Sequence, residues 1–167
     1  MGPAPLEDLI ASFAKLPGIG RVTAQRLALH VLKRPREEAE QLANALVAAK
    51  DGIHYCSECF NFTERDSERC AICRDTRRDE RCICVVEEAS DVLVLEANQI
   101  HRGVFHVLGG LLSPLEGIAP EDLRIGELVA RVQRVQVSEV IIALNAGPEG
   151  DATASYLHQL LSPHAQV

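Results

Sequence analysis

Apolar residues at Leu6, Leu9, Ile10 and Phe13 fall at i, i+3, i+4 and i+7, the period of a short amphipathic helix, and Pro17-Gly18 ends it. A second helix is expected over 22–32, and Pro35 stands where a third would take its first residue. The third puts Ala39, Leu42, Ala43, Leu46 and Val47 on one face and stops at Asp51-Gly52. Over 55–79 the periodicity vanishes, and cysteines stand among charged residues in a stretch with no apolar core of its own. The pattern then alternates: a β-branched run over 82–87, a helix over 91–98, a strand over 104–108, a helix over 120–132, a strand over 139–144 and a helix over 152–161. Strands alternating with helices predict right-handed crossovers and a mainly parallel sheet. Residues 164–167 read as the start of a further strand.

Composition narrows the class. At 167 residues, 47% hydrophobic and 25% charged, the chain has enough apolar side chains for a real core. It contains no apolar run of the roughly 20 residues that a membrane helix needs and no signal-peptide pattern at its start, so a cytoplasmic location is expected. Four Phe, two Tyr and no Trp count against a stacking platform for single-stranded nucleic acid. The net charge of −7 is unevenly placed: residues 1–36 sum to +4, 37–84 to −4 and 85–167 to −7. A basic head on an acidic body lets one end approach phosphate while the other repels it.

Three constellations carry chemistry. Cys56-x-x-Cys59 and Cys70-x-x-Cys73 are two chelating pairs ten residues apart, and four thiolates complete the closed tetrahedral shell of one structural Zn2+ per chain. Four sulfurs leave no open position for water, which argues against a catalytic metal there. Cys82 and Cys84 alternate along a predicted strand and read as packing. In Leu16-Pro17-Gly18-Ile19-Gly20, two glycines let the backbone turn sharply while Ile19 fills the space between the helices. The turn presents bare amides at the start of the second helix, where an anion binds readily, with Arg21 and Arg26 in reach. The carboxyl ends of two predicted strands are acidic, with Glu87-Glu88 after one and Glu149-Gly150-Asp151 after another. Asp151 is placed to cap the helix beginning at 152. No residue reads as a nucleophile with a base partner.

The glycine turn resembles the helix-hairpin-helix motif, which grips DNA backbones without reading sequence. The strand-end acids resemble those of the Toprim domain, which in enzymes hold Mg2+ for phosphoryl chemistry. The order of modules, together with the strings LPGIG, TAQRLA, VVEE, HVLGG, LSPLEGI and EGDATA, resembles the bacterial RecR family of recombination mediators over nearly the whole chain. That resemblance implies an α/β multidomain protein in three parts. These are a helix-hairpin-helix domain over 1–54, a four-cysteine zinc finger over 55–79 and a C-terminal Toprim-like, mainly parallel sheet over 80–167, a domain that continues past Val167 in the family.

It also implies a non-enzymatic DNA clamp, a dimer or tetrameric ring, that acts in DNA repair with RecO-like and RecF-like proteins to help load RecA. Gly18, Gly20, Arg21 and Arg26 would meet DNA, and Cys56, Cys59, Cys70 and Cys73 would hold zinc. Glu87, Glu88, Glu149 and Asp151 would be the Toprim acids, serving a partner or Mg2+. The family pattern has proline and lysine after the second glycine, where this chain has Arg21-Val22, and threonine and valine where it has Gly147 and Pro148. The competing readings are a Toprim-type metal-dependent nuclease or primase-like enzyme, and a zinc-stabilised adaptor whose acidic edge binds a basic protein.

Overall fold

The computed structural model of the protein describes residues 2–99 and 101–167. The chain forms two compact units, Met1–Asp51 and Gly52–Val167, so that 55–79 and 80–167 lie within one unit.

The first unit is helical. Helix α1 (Ala4–Ala14) and helix α2 (Arg21–Lys33) pack through Ile10, Ala24 and Ala28, with Leu6, Leu9, Phe13 and Ile19 around them. Alanines at the contact let the two helices approach closely, and Ile19 fills the gap at the turn as its position suggests. Helix α3 (Arg36–Gly52) buries none of its residues: Leu42, Leu46 and Val47, on its periodic apolar face, stay exposed.

In the second unit, strands β1 (Ile53–Tyr55) and β2 (Phe62–Glu64) form an antiparallel hairpin across the first cysteine pair, and the short helix α4 (Ala71–Arg74) carries the last cysteine. The apolar pattern gave no sign of that hairpin, because its alternation spans only three residues a side. Strand β3 (Asp79–Val86) lies at the centre of a parallel sheet, between β4 (Gly103–Val107) and β5 (Glu139–Ala143). Helix α5 (Ala89–Ala97) links β3 to β4, α6 (Ile125–Val135) links β4 to β5, and α7 (Pro148–Leu161) follows β5. One face of the sheet packs Ile83, Val85, Val104 and Val140 against Leu128, Val132, Leu157 and Leu161; the other packs Cys84, Val86, Phe105 and Val107 against Val92. Beyond β5, Gln166 forms a parallel bridge with Glu139, in the place where a further strand was expected.

Two helix limits differ from the periodic reading. The helix expected over 120–132 is broken: a 3-10 turn (Pro120–Asp122) precedes α6, because buried Leu123 is extended and Arg124 N–H donates to Leu108 O. Helix α7 begins at Pro148 rather than 152, since Pro suits a first helical position. Asp151 therefore lies inside the first turn and is not the cap; Gly147 occupies that place.

Candidate nucleic-acid interface and metal centre

The turn between α1 and α2 is closed by Ile19 N–H donating to Leu16 O at 3.1 Å. Gly18 sits at φ +76°, the left-handed region that an L side chain enters only at a cost. Gly20 is the N-cap of α2 with an extended backbone and no capping side chain, and the first helical bond runs from Ala24 N–H to Gly20 O. The amides of Arg21, Val22 and Thr23 therefore precede the helical ladder and carry the positive end of the dipole. Arg21, at the first position of α2, and Arg26, five residues on, are both exposed.

Charge here is less one-sided than the first 36 residues suggest. Arg21 lies 3.2 Å from Glu7 of α1, and Arg34 and Arg36 each pair at 2.6 Å with Glu38 and Glu40. The whole first unit holds seven basic and six acidic residues, a net of +1, because the acids of α3 lie just past the basic segment. Arg21 is 81% exposed, so its pair with Glu7 is weak enough to yield to a phosphate.

In the second unit the sulfurs of Cys56, Cys59, Cys70 and Cys73 all lie within 4.8 Å of one another, buried, with Cys59 and Cys70 Sγ 3.6 Å apart. A Zn–S bond of about 2.3 Å implies tetrahedral sulfur edges of about 3.8 Å, so the cage has the right size. The backbone builds each turn: Phe60 N–H donates to Cys56 O, Arg74 N–H to Cys70 O, and Cys70 N–H to Cys56 Sγ at 3.3 Å. Contact with the Cys59 sulfur pushes the Cys56 thiol down, while contact with Cys56 pushes Cys59 up. Four such sulfurs ionise together only around a cation. Cys84 is buried against the sheet and Cys82 lies 3.4 Å from Glu139, and neither joins the cage. Burial holds both of these thiols up at about 11.

The cage is tied to the sheet by residues that the spacing did not reveal. Val107 N–H donates to Cys59 O at 2.9 Å, and Phe60 and Ile72 join the apolar cluster of Cys84 and Phe105. Glu58, between the first two cysteines, meets Arg131 and Arg134 of α6. Arg131 is 6% exposed and also donates to Phe105 O at 2.7 Å. Its place three residues past Leu128, on the apolar face of α6, was the available signal.

The strand-end acids gather at the topological switch point, where the connections from β3 and β5 leave in opposite directions. Glu87 accepts a 2.7 Å hydrogen bond from Asn145 Nδ2, so the ends of β3 and β5 are joined. Glu88 is the N-cap residue of α5, and its N–H donates to Asp91 at 2.8 Å. Glu149 and Asp151 project, exposed, from the first turn of α7. Gly150 between them is obligatory, because a Cβ there would lie 1.9 Å from Asn145 O. Among the described residues, the cysteine cage brings at least three ligand atoms together within 4.8 Å and these acids do not.

A glycine-turned helical hairpin, a four-cysteine cage and a parallel sheet with acids at its switch point define a three-module zinc-finger protein of the Toprim class. The corresponding family models match in that order: the RecR helix-hairpin-helix over residues 6–50, the RecR four-cysteine zinc finger domain over 53–75 and the Toprim domain over 81–167. The chain is 51% identical over 162 residues to the recombination protein RecR of Chlorobium phaeobacteroides, covering 95% of this chain and 79% of that one. It is 53% identical over 159 residues to the protein of the same name from Moorella thermoacetica, with the same coverage. With that of Myxococcus xanthus it shares 51% over 163 residues, covering 98% of this chain and 82% of the relative. The chain belongs to the RecR family of recombination proteins.

Proposed function

We propose that the protein is a non-catalytic DNA clamp and recombination mediator in DNA repair, which acts in the cytoplasm with RecO-like and RecF-like proteins to help load RecA onto single-stranded DNA. The observation that carries this reading is the hairpin turn, with free amides at the start of a helix that bears exposed Arg21 and Arg26 in its first two turns. Gly18 shapes the turn and Gly20 leaves the helix start bare, while the two arginines displace counterions from phosphate. At physiological salt the Debye length is about 8 Å, so an acidic charge farther than that from a phosphate at the turn is largely screened. A few such contacts give shallow, sequence-independent affinity, which assembly of several copies raises. Exposed Val22, Leu32, Leu46 and Val47 supply apolar surface for a dimer or ring.

One structural Zn2+ per chain is held by Cys56, Cys59, Cys70 and Cys73. Glu87, Glu88, Glu149 and Asp151 serve as a docking edge for the partner rather than as a catalytic metal site. The engagement of Glu87 and Glu88 in joining strands and starting a helix supports this. Replacing Glu149 and Asp151 with Ala weakens a RecO-like partner and leaves the fold intact.

The decisive test is the double substitution Arg21→Ala/Arg26→Ala. It lowers affinity about equally for unrelated DNA sequences and flattens the slope of log affinity against log salt by roughly two units. Unchanged affinity and slope would reduce the hairpin to a structural turn. Labelled DNA stays intact in Mg2+ or Mn2+; cleavage would make the protein a Toprim nuclease instead.

A further inference from the structure

Half of the six aromatic side chains in this sequence meet at one solvent-facing cavity of about 400 Å³ in the second unit. Tyr55 of β1 and Phe62 of β2 are paired across the hairpin and stacked, with ring centroids 5.7 Å apart and planes at 22°. They are 62% and 46% exposed, so both rings are open to solvent at the cavity. Phe60, at φ +61°, also lines it. Glu88 and Asp122 line it with two carboxylates against the single cation of Arg124, which also lines it and pairs with Glu127 at 3.3 Å. One cation is already present on these terms: the Arg124 guanidinium lies 4.9 Å over the Phe60 ring.

We propose that this cavity is a socket for an arginine side chain presented by a protein partner. The stacked faces of Tyr55 and Phe62 attract a planar guanidinium through their ring quadrupoles, as Phe60 holds Arg124. The carboxylates of Glu88 and Asp122 accept its N–H groups; a fork of donors suits them better than the point charge of lysine. Charge selects this occupant over a nucleobase, which the rings alone would also stack. The unit Gly52–Val167 holds ten basic and eighteen acidic residues, a net of −8 that repels phosphate and draws a basic segment. The socket extends the reading of the strand ends as a docking edge, sharing Glu88 with it, and leaves Glu149 and Asp151 aside.

The test uses the full zinc-loaded chain and the capped peptide Ala-Leu-Arg-Leu-Ala, followed through the aromatic NMR signals of Tyr55 and Phe62. The peptide shifts both signals, and replacing its arginine by citrulline, the same shape without charge, weakens binding about tenfold. Tyr55→Leu/Phe62→Leu keeps the apolar area, removes the ring faces and costs about fivefold; Asp122→Asn, which retains an acceptor for Ala119 N–H, costs about threefold. Glu149→Ala/Asp151→Ala leaves peptide binding unchanged, so failure of the docking edge and failure of the socket are read separately. Four results would overturn the socket: equal binding of the citrulline peptide, ring shifts caused by oligothymidylate but not by the arginine peptide, no shift at millimolar peptide, or loss of peptide binding in Glu149→Ala/Asp151→Ala.

Discussion

Ile10, Ala24 and Ala28 are the buried apolar residues of the first unit, whereas the second buries two sheet-flanking clusters and a sulfur cage. Helix α3 leaves its apolar face in solvent, while β4 is buried along its whole length. The first unit thus depends on one close helix contact and one backbone turn, and the second on volume filled with side chains and a site for a metal. Small residues are enough to place a turn; a cage of thiols needs a framework that holds it. Four measurements press on this contrast.

The largest effect falls on the cage. Structural zinc contributes about 10–16 kcal/mol in small finger peptides, so chelation or Cys56→Ala unfolds the segment around the cage and lowers the stability of the second unit most. Elemental analysis gives one zinc per chain before chelation and none after, and hydrogen exchange rises in the second unit but not in α1 and α2. The next effect is packing. Leu128→Ala costs about 2–5 kcal/mol, because Leu128 is fully buried between α6 and the sheet. Leu46→Ala, on the exposed face of α3, stays within about 0.5 kcal/mol in dilute monomeric protein. Urea unfolding of the two variants gives the difference directly.

The third concerns pH. His106 is fully buried, and its Nε2–H donates to Arg124 O 2.8 Å away, while its Nδ1 has no partner among the described residues. Burial pushes its pKa down from 6.5 to about 4. Since the folded value lies below the unfolded one, the unfolded chain takes up the proton first as pH falls. Stability contributed by neutral His106 is intact above about 6.5, declines as pH drops towards 4, and amounts to about 3 kcal/mol at most. Urea midpoints measured from pH 7 to pH 5 fall accordingly, and less steeply in His106→Leu. The fourth measurement is Gly18→Ala: nothing lies within 4 Å of the new Cβ, so the cost is the left-handed backbone alone, about 1–2 kcal/mol. It is read as faster amide exchange in α1 and α2.

Legibility followed the same division. The cysteine pairs and the glycine turn were visible because ligand spacing and backbone freedom are local properties of a few adjacent residues. The strands of the sheet were visible as short apolar runs between helical periods, although β3 begins three residues earlier, at Asp79, than its β-branched run over 82–87. The break at Leu123 was hidden, since the periodicity of 120–132 continues through a residue that tertiary packing pulls straight. The tie from Glu58 to Arg131 joins residues 73 positions apart and leaves no local trace except a charge on an apolar face. The aromatic cavity was missed because six aromatics counted along the chain look sparse, whereas folding brings three of them together. The basic head was overdrawn because a window ending at residue 36 cut the arginines from the acids that pair with them one turn later.

The bond from Val107 N–H to Cys59 O, with Phe60 and Ile72 sunk into the cluster beneath, means that the finger and the sheet share a seam rather than a linker. Cutting the chain at residue 80 would strip the sheet of part of its own lining and leave the finger without the wall it leans on. A chimaera that swaps the finger alone must therefore carry over the residues that meet it from β4 and α6.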